Sequence, residues 1–467
     1  MLFTTVIFWK FFIIVSLLIF INSKILKSVF LQNFILLISS YLFYIYWDWR
    51  FLSLIIFVSA QTFISGFLIN KFFERKFLFL TLSILANLIV LGVFKYFNFF
   101  ASELSAVFGI ELSNSLTSII LPVGLSFYIF QSLTYVIDIY NKKMKPEKRA
   151  LHYFTYIAFF PQLVAGPIER ASSLLPQFSR VKTLKFDNIF LGTKLVILGL
   201  FLKLIVADNL APLVDFYFAN YAQLKGGGLF LGALYFSIQI YGDFCGYSLI
   251  AIGVARIIGF SLMVNFQTPY FSTSIQEFWR RWHISLSTFF RDYVYIPLGG
   301  SKKGELNTSK NIFYTFTLSG LWHGANWTFI AWGFLHGVLL VIQRLFNYQR
   351  LFNCSVPKPI KTLFSRFFTM AFIMLLWIFF RSSSISDAVN YITIMVLNPD
   401  IPMLDGNLRG LIYCGYYLIV DLYLNRSKVY EHNKKISFRE VIFLAMLLVL
   451  TIGTRSAGNI NFIYFQF

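Results

Sequence analysis

FLFLTLSILANLIVLGVF, residues 77–94, is an apolar run without a single charge, bounded by Lys76 and Lys95. A helix of roughly 20 mainly apolar residues spans the hydrocarbon of a bilayer. With its short flanks this run is long enough. Comparable runs recur at 11–21, 119–139, 196–206, 367–380 and 441–452. Composition agrees: 58% of the 467 residues are hydrophobic, 20% are aromatic and only 13% are charged, where soluble domains carry about 25% charged residues. The chain reads as an all-α polytopic membrane protein with about ten to twelve spans, short and broken segments making the number ambiguous.

The run at 11–21 is followed by Lys24-Ile25-Leu26-Lys27, not by a small-residue cleavage site, so it reads as a retained first helix. The net charge of +20 could suggest nucleic acid. The positions of the basic residues argue otherwise. Lys24 and Lys27, then Lys71, Arg75 and Lys76, then Lys142, Lys143, Lys145, Lys148 and Arg149 fall in short loops. The loops between them are poor in positive charge. Basic loops stay on the cytoplasmic side, which places the N-terminus outside and excludes a nucleic-acid role. Cys245, Cys354 and Cys414 have no paired spacing, so neither a disulfide framework nor a metal site is expected.

No stretch has the length or polarity of a soluble domain, so 1–467 reads as one integral-membrane domain. The longest polar stretches are 167–187 and 299–310. Lys225-Gly226-Gly227-Gly228 reads as a hinge-like loop and Pro357-Lys358-Pro359 as a break. No internal repeat stands out, which weighs against an inverted-repeat transporter.

Three stretches embed polar groups in aromatic surroundings, where such groups are costly and ask for a function. In FFPQLVAGPIER (159–170), Pro161, Gly166 and Pro167 break any continuous helix. The segment is either re-entrant, with its irregular backbone covered by protein, or an interfacial turn with Glu169 and Arg170 solvated. In EFWRRWHISLSTFFRDYVYIPLGG (277–300), a continuous helix would put Trp279, His283, Leu286 and Phe290 on one face, with Glu277 four residues before Arg281. Such a helix suits the cytoplasmic interface. Its arginines serve either an anionic ligand or lipid headgroups. In TLSGLWHGAN (317–326), His323 lies between Trp322 and Gly324, and His336 follows in AWGFLHG. Gly320, Gly324 and Ala325 are small enough for a helix or ligand to come close. His323 is either a buried ring satisfied by a carbonyl or a general base.

Taken together, LPVGLSFYIFQSLTYVIDIY (121–140), PQLVAGPIER (161–170), YGDFCGYSLIAIGVARIIGF (241–260), the 277–300 stretch, SGLWHGANWTFIAWGFLHG (319–337) and WIFFRS (377–382) resemble the membrane-bound O-acyltransferase superfamily. The resemblance is to the bacterial branch that holds the membrane subunits of alginate and peptidoglycan O-acetyltransferases, and the C-terminal FIYFQF (462–467) fits it too. It implies a ring of about 11 transmembrane helices plus re-entrant and interfacial helices around an extracellular funnel. It implies that His323 is the catalytic histidine and that His283 is the family's second histidine. Asp292 and Tyr293 match the family's RDY. Trp322, Asn326, Trp279, Arg280, Arg281, Arg291 and Asp292 become candidate substrate-binding residues, the arginines for coenzyme phosphates. No bound cofactor is implied; acetyl-CoA is the donor substrate. The implied setting is the bacterial inner membrane, amid lipid, with an extracytoplasmic SGNH-hydrolase-like acetyltransferase as partner. Three other readings compete: D-alanyl transfer to teichoic acid, a solute transporter, and a scaffold that only anchors the partner.

Overall fold

The structure, a computed structural model, describes residues 1–109, 119–164, 166–346, 357–399, 408–427, 430 and 437–453. Cys354 and the FIYFQF stretch lie outside these residues. The described residues form helices and connecting turns, with no strand among them. Among the described residues, seven helical segments are long and apolar enough to cross a membrane: Val6–Leu26, Trp49–Lys71, Phe73–Phe108, Phe186–Ala219, Gly226–Ile257, Trp327–Phe346 and Lys358–Arg381. Val29–Ile45 and Ile385–Leu397 are shorter apolar helices.

One apolar run makes less helix than its composition suggests. The 119–139 run becomes helical only at Leu125, because Pro122 and the left-handed Gly124 (φ 75°) hold its first residues out of the helix. The 441–452 run lies in a helix of 16 residues, Phe438–Gly453. Elsewhere the chain is more helical than expected. Lys225-Gly226-Gly227-Gly228 is not a hinge: Gly226 opens the 32-residue Gly226–Ile257 helix, its amide donating to Asn398 O at 2.7 Å. In that helix 94% of the spanning stretch is buried in protein, against 28% in Phe73–Phe108.

The chain forms two compact units, 1–196 with 247–263 and 197–246 with 264–467. In the first, polar side chains of the Val29–Ile45 helix pin irregular backbone. Asn33 Nδ2 donates to Phe178 O at 2.8 Å, and Ser40 Oγ accepts from Phe160 N at 3.1 Å. Gly192 and Gly253 sit face to face, where a Cβ on either would collide with the other's carbonyl. The basic loops after Lys71 and Tyr140 meet: the ammonium groups of Lys76 and Lys142 lie 4.5 and 4.6 Å from the Phe73 ring.

In the second unit, the Gly304–His323 and Trp327–Phe346 helices form a tight hairpin. Gly320 and Gly333 meet at its crossing, where a Cβ on Gly333 would lie 2.9 Å from Gly320 Cα. The small residues around His323 admit another helix, as the sequence suggests. A buried charge cluster joins the Phe186–Ala219 and Gly226–Ile257 spans. Lys203, in a π-helical stretch (Phe201–Ala207), reaches Asp208 at 2.7 Å and Asp243 at 2.8 Å.

Candidate active site

The 277–300 stretch is not one helix. Ile275–Arg281 ends at an extended Trp282; His283 is left-handed (φ 42°, ψ 55°); Ile284–Phe290 follows, then a π-helical turn at Arg291–Tyr295. The common face expected for Trp279, His283, Leu286 and Phe290 therefore does not exist. A positive φ on a non-glycine residue costs of order 1 kcal/mol and needs support from its surroundings. An extended segment around Asn265 supplies it. Ile284 N donates to Asn265 O at 2.9 Å, and Gln267 N to Arg281 O at 3.0 Å, so backbone groups freed by the break are satisfied.

Asn265 also sets the imidazole. Its Oδ1 accepts from Ser285 Oγ at 2.9 Å and from Ser285 N at 3.3 Å, and lies 3.3 Å from His283 Nδ1. An amide oxygen only accepts, so the proton of His283 sits on Nδ1 and Nε2 presents a lone pair. Nε2 has no hydrogen-bond partner among the described residues. His283 is fully buried, and burial pushes its imidazole down to about 3. It is a neutral ring at pH 7, with Nε2 open as an acceptor.

Trp322 links the two histidines, its ring 6.1 Å from His283 and 4.9 Å from His323. His323, the last residue of its helix, is 3% exposed. Trp332 and Phe380 stand edge-on to its imidazole at 5.0 and 5.4 Å. His336 packs on Trp332 at 4.7 Å, and its Nδ1 accepts from Trp279 Nε1 at 3.3 Å.

A cavity of about 740 Å³ lies alongside. Trp279, Leu286, Phe290 and Phe316 give it apolar walls, and Ser287, Thr288, Thr315 and Ser319 give it hydroxyls. Three guanidinium-bearing residues line it: Arg280, Arg291 and Arg344. Ile312, Phe316 and Ser319 follow at steps of four and three, and His323 is the next residue on that helix face.

The structure sorts the candidates. Trp279, Arg280 and Arg291 line the cavity. Arg281 does not; it is spent on Glu277 at 2.6 Å, the pairing its spacing anticipates. Asp292 does not either, and it pairs with Arg291 at 2.6 Å. Asn326 caps the next helix, accepting from Thr328 N at 3.0 Å and donating to Ser383 O at 3.1 Å. Sequence reasoning misses Arg344, which pairs with Glu305 at 2.6 Å at the cavity's edge, and Asn265. A polar residue between Val264 and Phe266 was the available signal for Asn265.

The other polar stretch behaves differently. Glu169 is not solvated but 1% exposed, and its carboxylate accepts from Met263 N. Tyr156 OH donates to Glu169 O at 3.1 Å, and Gln162 Nε2 to Tyr156 O at 3.2 Å. Burial pushes the Glu169 carboxyl up to about 7. The irregular backbone here is covered by protein, as the re-entrant reading requires.

Known proteins are similar to this chain in sequence. The model of the membrane-bound O-acyltransferase family matches residues 69–386. A probable alginate O-acetylase AlgI of Azotobacter vinelandii is 41% identical over 76% of this chain and 71% of its own length. A peptidoglycan O-acetyltransferase of Helicobacter pylori is 35% identical over 77% of this chain and 73% of its own. A teichoic acid D-alanyltransferase of Streptococcus thermophilus is 29% identical over 49% of this chain and 58% of its own. The chain is a multi-pass acyltransferase and belongs to the membrane-bound O-acyltransferase family.

Proposed function

We propose that this chain is the membrane component of a polysaccharide O-acetylation system. It takes an acetyl group from cytoplasmic acetyl-CoA and delivers it for O-acetylation of an extracytoplasmic polymer of the peptidoglycan or alginate kind. On this reading residues 1–467 form one catalytic domain in the bacterial inner membrane, N-terminus outside, within a ring of about 11 helices around an extracellular funnel. An SGNH-type protein outside receives the acetyl group. The O-acetylase and O-acetyltransferase relatives support the acetyl group and the polymers.

One observation carries the chemistry: the helix face that lines the arginine-bearing cavity ends at His323. Arg280, exposed at the cavity, suits the phosphates of the coenzyme, since guanidinium groups bind phosphate bidentately; Arg291 would add its charge while held by Asp292. A thioester is already activated, so the protein has two tasks: to hold donor and acceptor together and to take one proton. His323 removes the proton of the acceptor hydroxyl as its oxygen bonds to the acetyl carbon. The carbonyl electron pair moves onto oxygen, then returns as the C–S bond breaks. The departing sulfur takes the proton back from the imidazolium. His283, held neutral by Asn265, accepts a hydrogen bond through Nε2 and orients a bound substrate.

The test uses cells carrying the wild-type chain, a deletion and His323→Ala. Wall and exopolysaccharide fractions are treated with mild base and released acetate is measured. Equal loss in deletion and variant supports the reading, and the fraction affected names the polymer. Acetate retained in His323→Ala assigns the chemistry elsewhere. Unchanged acetate in the deletion overturns acetyl transfer and favours the D-alanyl reaction, which incubation with a D-alanyl carrier would then detect.

A further inference from the structure

Buried donors and acceptors without partners are rare in native proteins, and each asks for an explanation. Such atoms occur at several places among the described residues, and four of them fall in one aromatic region. Trp282 Nε1, His283 Nε2, Trp332 Nε1 and His336 Nε2 are buried without a hydrogen-bond partner among the described residues. Three of the four differ from Trp332 in packing or in chemistry. Trp282 packs on Trp377 and Tyr270. His336 packs on Trp279 and Phe316 of the cavity wall, at 4.9 and 6.4 Å, and its Nδ1 already accepts from Trp279 Nε1. His283 offers a lone pair, not a proton.

Trp332 is different. It is fully buried, its ring is 5.0 Å from His323, and it is 5.7 Å from Trp279, which lines the cavity. It packs between Trp279 of the cavity wall and His323, and its N–H has no acceptor among the described residues. The neighbouring Trp377 has its N–H already engaged, donating to Tyr270 OH at 3.1 Å.

We propose that Trp332 is a catalytic residue whose indole N–H donates to the thioester carbonyl oxygen as that oxygen gains negative charge. The inference rests on the acetyl-transfer reading above. As the acceptor oxygen attacks, the carbonyl electrons move onto oxygen, and a donor already in place stabilises that charge without reorganising. When the C–S bond breaks, the charge leaves the oxygen and the hydrogen bond weakens. Such a donor acts on the transition state more than on bound substrate, so its loss lowers kcat and leaves KM nearly unchanged.

The test is Trp332→Phe in the full-length membrane protein, assayed with acetyl-CoA and with trifluoroacetyl-CoA. The expected result is a kcat roughly 10²-fold lower on acetyl-CoA, with donor KM close to wild type. Fluorine stabilises the oxyanion by itself, so the deficit shrinks several-fold on the fluorinated donor. Trp377→Phe, which removes an N–H spent on Tyr270, reports ordinary packing loss and shows no donor dependence. An equal deficit on both donors, or none, overturns the proposal. If Trp332→Phe does not fold, Trp332→Tyr is read by the same donor ratio. Wild type that consumes neither donor overturns the function reading, not the assignment of Trp332.

Discussion

Two stretches of this chain bury polar groups under aromatic cover, and they do so in opposite ways. Around Glu169 most groups are answered from within: the carboxylate accepts a hydrogen bond from Met263 N, Tyr156 OH reaches the segment's backbone, and Gln162 Oε1 alone of the segment's side-chain atoms is buried without a partner among the described residues. Around His283 and Trp332 they are left open, with ring nitrogens buried and unanswered. Removing a satisfied partner costs stability, whereas an unsatisfied group costs stability as it stands. A protein keeps the second kind where a substrate completes the hydrogen bonds. The first region reads as architecture and the second as chemistry.

This contrast can be broken. The largest effect is expected from His323→Ala: acetate incorporation falls by about 10³-fold or more, beyond what loss of packing explains. Asn265→Ala comes next. It frees His283 to adopt the other tautomer, and a drop of about tenfold in kcat is expected, the value of one charge-free hydrogen bond. The thermal transition in detergent should fall too, because Asn265 also supports the left-handed turn. Arg280→Ala is smaller. Donor KM should rise several-fold with kcat held, and the difference should narrow in high salt because the arginine is exposed.

The smallest effect on activity, and the sharpest test of the contrast, is Glu169→Gln. The Glu169 carboxyl is raised to about 7 by burial, above its ordinary value near 4.3. Its contribution to stability is therefore full below the ordinary value and is lost as pH rises through about 7. The wild-type protein should lose thermal stability between roughly pH 4.5 and 7, and the glutamine variant should lose less while retaining turnover. A Glu169→Gln enzyme that is folded but inactive, beside active variants at Asn265 and Trp332, would reverse the assignment of the two regions.

Much of the fold was legible because apolar length is a strong signal: among the described residues seven segments have the dimensions of spans. Where the reading failed, a backbone angle decided. Periodicity carries the helix straight through His283 because nothing in a side-chain pattern announces a positive φ on histidine. Gly226 misled in the other direction: three glycines look like a hinge, yet here they let a helix begin against Asn398. In the site, the Glu277–Arg281 pair was readable from local spacing, whereas His323 stood out as catalytic only through the family resemblance. Asn265 and Arg344 were not, because each acts on residues that lie 18 and 39 positions away along the chain.

The Lys203 cluster has a consequence for how the chain enters the bilayer. Gly226–Ile257 is the least apolar of the seven spans and carries Asp243. A lone charge at the centre of an inserting helix costs about 2.5–3.5 kcal/mol at the translocon. Lys203, on the preceding span, bears the opposite charge and meets Asp243 at 2.8 Å. The two segments lower each other's insertion cost only when they arrive together, as a hairpin. A ribosome stalled between them leaves the first with its ammonium bound only to Asp208, and a chain lacking the first leaves the second reluctant to stay in lipid. Biogenesis of this enzyme is written into one ion pair far along the chain from its histidines.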